Sequence, residues 1–417
     1  MLHQAMAHVY VGVDIHRRSH TATIINCFFE KLGEVTFGNR LPDFPMLEDE
    51  VKKHTGDGVT PVYGLEDCTS LGRELAIYLM GRGHTVKYVN PSLSKSERNS
   101  QASLHKTDSF DSLCIARVLL SKLGQLPDAR TDDRLWALTE LVMKRRYLVK
   151  ASVGLKNQLH NYVSHHYPSY GQFFSAFDCK TALAFWEKYP SLKVLSGADP
   201  LELSKFLSEK SSGYFSFGKA CEIFAIATED GYVENEMQDV CDFMVTFSAG
   251  QLRDVRVQIG TLDEKIKELL PLFGYKLESM KGISHTTAAA LIVEIGDIDR
   301  FKNAAHLASY AGISPAEYSS GNSERNISNK RGNRNLNQLL FFLAVSQIND
   351  HGPKGGPWSG IFAAYYEKKI SEGKTKKQAI KCVQRRLINI IYRLMKDRCE
   401  YRPPVLPCAK TEPAKDD

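Results

Sequence analysis

Three β-rich runs follow one another near the N-terminal end: VYVGVDI (Val9 to Ile15), TATIINCF (Thr21 to Phe28) and GEVTFGN (Gly33 to Asn39). Only after them does helix begin to alternate with strand. This order constrains the fold more than any other feature, because strands joined by short polar turns pair as an antiparallel meander, whereas strands separated by helices pair in parallel. Pro42 to His54 carries helical periodicity, VTPVYGLE (Val59 to Glu66) reads as a fourth strand, LGRELAIYLMGRG (Leu71 to Gly83) as a helix with glycine at its exit, and TVKYVNP (Thr85 to Pro91) as a fifth strand.

Strands first, then alternation, is the order expected of an RNase H-like α/β domain, here spanning residues 1–130. From about Thr131 long helices take over. Leu141, Leu148, Leu155 and Tyr162 recur every seventh residue, and Leu252, Val255, Ile259, Leu262, Ile266 and Leu269 step by three and four. These seams suit an intermolecular coiled coil and packing within one helical domain equally. Tyr167 to Asp242 between them is aromatic-rich and helical but carries no motif, and together these segments make a central helical region, 131–270. A mainly helical third region, 271–400, opens with LESMKGISHTTAAALIVEIG (Leu277 to Gly296). Lys281-Gly282-Ile283 before a Ser/Thr helix start resembles a helix-hairpin-helix, whose backbone N–H groups receive phosphate. An ordinary turn capped by glycine fits as well. The Pro-rich stretch 401–417 is expected to be a disordered tail.

Composition narrows the function classes. The 417 residues carry 54 Lys/Arg and 48 Asp/Glu, a net charge of only +6. Gly321 to Glu400, however, holds 16 Lys/Arg against 6 Asp/Glu, so the cationic surface belongs to one region, as expected where phosphates are held. The longest apolar stretch, LLFFLAV at Leu339 to Val345, is far too short to span a bilayer. The N-terminus does not read as a secretion signal. Nine cysteines without a CxxC pair argue against zinc and disulfide frameworks and point to a reducing cytosol.

Two groups of residues could do chemistry. Asp14 and Glu66 end β-rich runs, and Asp108 and Asp111 open a helix at HKTDSFDSLCIARVLL, where residues i and i+3 share a face. Four carboxylates converging on one point repel unless neutralised, and hard divalent cations, Mg²⁺ first, are the usual answer. Each acid could instead be a solvated cap, and Asp67 rivals Glu66, since neighbours on a strand face opposite ways. The second group is YSSGNSERNISNKRGNRNLNQLL (Tyr318 to Leu340), a polar loop with Arg325, Lys330, Arg331 and Arg334 as forked or point-charge donors for phosphate oxygens. It reads either as a basic phosphate-binding segment or as one carrying a nucleophilic serine. Further on, Ile380, Val383, Leu387, Ile391 and Leu394 give a helix one apolar side opposite a basic one.

Taken together, VYVGVDIHRR, the Glu66 strand end and KTDSFDSLCIARVL resemble the N-terminal RuvC-like DEDD domain of the insertion-sequence recombinases called the IS-one-ten family, kin to the Piv-type invertases. LESMKGIS, AAALIVEIGD, FKNAAHLASYAGISPAEYSSG, SNKRGNRNLNQLL and YYEKKISEGKTKKQAIKCVQRRL look like that family's C-terminal transposase domain. The resemblance implies a DNA transposase or site-specific recombinase in which a serine attacks the phosphodiester and forms a phosphoserine link beside an acidic tetrad holding Mg²⁺ (or Mn²⁺). By motif position the tetrad is Asp14, Glu66, Asp108 and Asp111, and the serine is Ser320, with Ser319 as fallback. Lys281, Gly282, Arg325, Lys330, Arg331 and Arg334 fall to nucleic-acid binding. Partners implied are element-end and target DNA, a structured bridge RNA, and further copies of the chain as a dimer or tetramer in the bacterial cytosol. Two departures stand out: the chain has Glu66-Asp67-Cys68-Thr69 where the family often has Glu-Ala-Thr-Gly, and its middle segment is longer than is common. The tetrad alone is also compatible with a RuvC-like nuclease or junction resolvase using metal-activated water, and the basic region alone with a non-enzymatic nucleic-acid binder.

Overall fold

The computed structural model describes residues 5–56, 58–101, 107–233, 235–314, 316–320, 323–327, 332–349 and 360–403, with backbone only for 316–320 and 323–327. The chain forms two compact units, Met1–Trp136 and Ala137–Asp417.

In the first unit, β1 (His8–Ile15), β2 (Ser19–Ile25) and β3 (Lys31–Gly38) form the antiparallel meander, followed by α1 (Pro45–Lys52), β4 (Thr60–Leu65), α2 (Arg73–Gly81), β5 (Thr85–Tyr88), α3 (Pro91–Ser100) and α4 (Asp108–Lys122). The sheet order is β3-β2-β1-β4-β5, with β4 parallel to both β1 and β5. Strict alternation along β1 splits its side chains between two cores. Val9, Val11 and Val13 pack with Phe44, Leu47, Leu75 and Leu79 on the α1/α2 side, and Tyr10 packs with Ile115, Ala116 and Leu119 on the α4 side. A helix the sequence reading did not anticipate, α3, is entered through the Asn90 side chain, which accepts from Ser92 N, with Pro91 at its first position.

The second unit is mostly helical. α5 (Asp133–His166), most of which lies in it, α6 (Lys180–Lys188), α7 (Leu192–Ser196), α8 (Pro200–Lys210), α9 (Phe217–Asp230) and α10 (Gln238–Leu269) surround a core of Tyr167, Phe173, Phe185 and Trp186. The aromatic segment without a motif is therefore the inside of a helical bundle. Two of its polar tips are satisfied by backbone, Trp186 Nε1 donating to Phe177 O (3.0 Å) and the Tyr167 hydroxyl to Tyr189 O (3.1 Å). Leu155 and Tyr162 of one seam and Leu252 of the other meet this same core, so those parts of both seams are spent inside the unit.

Then come α11 (His285–Ile295), α12 (Ala304–Tyr310), β6 (Ala316–Ser320), β7 (Ser323–Ile327), α13 (Arg334–Ile348), α14 (Gly360–Ser371) and α15 (Lys376–Lys396). α15 opens with a Thr375/Gln378 capping box and buries Val383, Leu387, Ile391 and Leu394 as its periodicity requires, with Ile380 half-buried. The polar stretch read as a loop contains an antiparallel hairpin, β6 against β7. Its residues lack the apolar alternation by which strands are recognised. Residues 404–417, read as a tail, lie outside the described residues.

Candidate active site

The site is built where α4 crosses the sheet. β1 and β4 run side by side in parallel with Gly12 opposite Gly64. A Cβ at Gly12 would stand 2.2 Å from both Ala116 N and Ser112 O, so a bare backbone is what lets α4 lie this close. The Thr23 and Ser112 hydroxyls, 2.7 Å apart, fix the helix laterally. Two residues beyond Gly12 on the same face is Asp14, and two beyond Gly64 is Glu66. Thr107 caps α4 by accepting from Phe110 N (3.2 Å), which delivers Asp108 and Asp111 in the first turn.

Asp14 is 8% exposed, and its Oδ2 is buried without a hydrogen-bond donor. Burial, only partly countered by His16, and repulsion from Asp111, Asp108 and Glu66 push its carboxyl up to about 6. The structure thus brings all four acids of the expected tetrad into electrostatic contact. Two have local partners on α3, one turn apart: Ser94 donates to Glu66, and Arg98 Nε lies 2.7 Å from Asp111 Oδ1. Asp67, the rival of Glu66, is occupied as a turn cap, accepting from Thr69 N (2.9 Å), Ser70 N (2.8 Å) and Leu71 N (2.8 Å).

The sequence reading missed His16. Its Nε2 lies 3.2 Å from Asp14 Oδ2 and 3.2 Å from Asp108 Oδ1, bridging the end of β1 and the start of α4. Ligand atoms of Asp14, His16 and Asp108 all fall within 4.8 Å of one another, close enough to share one cation. The spacing Asp-x-His at a strand end, which keeps both side chains on one face, was the available signal. The buried, unpartnered Asp14 oxygen and the mutual repulsion are what a carboxylate cage for a divalent ion looks like before the ion's charge is added.

In the second unit, Ser320 is the last residue of β6 and pairs with Ser323, Ser319 pairs with Glu324, and Tyr318 with Arg325. Lys330 and Arg331 lie outside the described residues, and the side chains of Ser319, Ser320 and Arg325 are likewise not described. Arg334 is exposed at the first position of α13. The two feet of this hairpin are clamped together. A Cβ at Gly332 would stand 2.7 Å from Gly312 N, and Asn333 N donates to Tyr310 O (2.7 Å). Asn333 Nδ2 donates to Glu294 Oε2 (2.9 Å), whose other oxygen takes Arg146 (2.9 Å). Exposed Lys281 and half-buried Gly282, the latter at φ 90°, form the turn before α11, held by Gln347 Nε2 donating to Lys281 O (2.7 Å).

Comparison with known proteins bears on both units. Residues 11–168 match the DEDD transposase profile of the IS110 type, and residues 274–356 match that of the transposase IS116/IS110/IS902 family. The chain is 25% identical over 398 residues to an insertion element IS110 43.6 kDa protein of Streptomyces coelicolor, covering 94% of this chain and 95% of that one. It is 23% identical over 406 residues to an IS116 44.8 kDa protein of Streptomyces clavuligerus, covering 95% and 96%. Over 162 residues it is 31% identical to a pilin gene-inverting protein of Moraxella lacunata, covering 37% of this chain and 48% of the relative.

Proposed function

The chain belongs to the IS116/IS110/IS902 family of insertion-sequence transposases, and on that premise we propose that it recombines DNA through a covalent serine link beside a divalent-cation cage. The observation that carries this reading is the convergence of Asp14, Glu66, Asp108 and Asp111, whose repulsion adds to burial in raising the Asp14 carboxyl. These four would hold Mg²⁺ or Mn²⁺. Such an ion, when bound, supplies positive charge to the phosphodiester in an in-line displacement.

The chain's own groups do the rest. The Ser320 hydroxyl attacks phosphorus, the new Ser–O–P bond forms as the bond to the leaving nucleotide oxygen breaks, and that oxygen departs as a free hydroxyl. A strand-end hydroxyl later reverses the step on the new partner, so no net hydrolysis occurs. Ser319 is the fallback nucleophile. Arg325, Lys330, Arg331 and Arg334 hold the non-bridging oxygens, and the Lys281-Gly282 turn grips a phosphate of the flanking duplex. Duplex DNA, a structured RNA guide and further copies of the chain complete the assembly, and the exposed cations of α15 suit either nucleic acid. Among the described residues no helix is long and apolar enough to cross a membrane, in keeping with work on DNA in the cytosol.

A denaturing gel of full-length protein incubated with element-end DNA and divalent cation tests this. Wild type is expected to yield a DNA-linked protein band, with Ser320→Ala and Asp14→Asn yielding none. Nicked DNA without linked protein, unaffected by Ser320→Ala, would instead identify a nuclease that uses water.

A further inference from the structure

We propose that His16 Nε2 is itself a ligand of the catalytic ion, together with Asp14 and Asp108, and that this nitrogen tilts the site toward Mn²⁺ and away from Mg²⁺. The inference rests on the metal-dependent part of the reading above and specifies which ion that site takes.

Three observations carry it. First, Nε2 stands at the same 3.2 Å from two carboxylate oxygens that belong to different elements, the end of β1 and the start of α4. Neighbouring ligands of an octahedral ion with bonds of about 2.1 Å are separated by about 3.0 Å, so both spacings already match the edges of a coordination polyhedron. Second, the contact with Asp14 is not a hydrogen bond: Asp14 Oδ2 is buried and has no donor aligned to it, although Nε2 is 3.2 Å away. An imidazole serving merely as counter-ion would aim its N–H at that oxygen, whereas two ligands of one cation need no such alignment. Third, the main chain that carries the ring is held in place. The backbone N–H of His16 donates to Nδ1 of His20 (3.3 Å), which is fully buried against Phe37 and Phe44.

The choice of ion follows from ligand chemistry. Mg²⁺ is hard, prefers oxygen and dehydrates reluctantly. Imidazole favours transition ions, and Mn²⁺ is the one among them that also suits a carboxylate-rich, near-octahedral site. A cage of acids alone would accept Mg²⁺ readily, and adding one nitrogen shifts the balance.

Pulsed EPR on purified full-length protein without DNA, with MnCl₂ as the probe and MgCl₂ added as competitor, tests this. Wild type is expected to show modulation from a directly coordinated ¹⁴N. His16→Ala should lose that modulation and bind Mn²⁺ about tenfold or more weakly, and His16→Asp, which restores an oxygen ligand, should bind without the nitrogen signal and prefer Mg²⁺ more than wild type does. Asp14→Asn should lose the bound ion. If wild-type protein binds Mn²⁺ through Asp14 without nitrogen modulation, or if His16→Ala or His16→Asp keeps it, the inference fails while the carboxylate cage and the serine chemistry stand. No Asp14-dependent Mn²⁺ binding at all would overturn this inference and remove the metal from the functional reading too.

Discussion

Glu66 and Asp67 are adjacent acids with opposite fates, and the difference is one of local geometry. Asp67 spends both oxygens on the backbone of the turn after β4, whereas Glu66 continues the face of Val62 and Gly64 and joins the cluster around Asp14. A third acid, Glu48, shows what such a group does when its partners are cations and hydroxyls. It is 5% exposed, and burial alone would raise its carboxyl. Hydrogen bonds from Tyr78 (2.6 Å), His84 (2.8 Å) and Arg82 (2.8 Å) outweigh burial and hold it below the usual range. Because the folded value is depressed, the stabilisation is complete above the unfolded Glu value of about 4.3 and is lost as pH falls through the folded one. Glu48→Gln is therefore expected to destabilise the first unit by about 1–3 kcal/mol at pH 7, with thermal melting curves of wild type and variant converging as the solution is acidified toward pH 3. A gap that stays constant over that range would contradict the assigned linkage.

Among the elements, α4 decides whether the acids meet. Its approach depends on Gly12, where any Cβ collides with helix backbone rather than with a yielding side chain. Gly12→Ala is expected to cost about 1–3 kcal/mol by overpacking. It should also lift the first turn of α4 away from Asp14, so that strand exchange falls further than the shift in melting temperature accounts for. Full activity in a folded Gly12→Ala protein would show that the close crossing does not position the site. The five strands of the first unit were legible because their apolar residues alternate and glycines and polar turns punctuate them. The acids at their ends were visible as residues, but alternation alone left Asp67 a rival of Glu66, and the turn that occupies Asp67 shows only in the fold. α3 was not, since PSLSKSERNS has few apolar residues to reveal a period, yet its Ser94 and Arg98 are the groups that touch Glu66 and Asp111. The β6–β7 hairpin escaped for the same reason. His16 was visible as a residue, but only the folded crossing of β1 and α4 shows that one nitrogen serves two acids.

Across the whole molecule, charge and chemistry are divided. The first unit supplies a cluster of carboxylates, while the basic stretch and the serine hairpin lie in the second. Such a division suits a reaction that needs both an acidic cage for a cation and a cationic surface for the polyanion. On either side of the hairpin that carries Ser319 and Ser320, Gly312 and Gly332 approach closely, and the Arg146–Glu294–Asn333 chain anchors the second side. The decisive group is the nucleophile. Mass spectrometry of the covalent product, after wild-type protein has reacted with element-end DNA and been digested with nuclease and protease, locates it directly. A peptide bearing a phosphonucleotide on Ser320 is the result expected. DNA that is cut and rejoined with no nucleotide attached to any serine of that hairpin would contradict it.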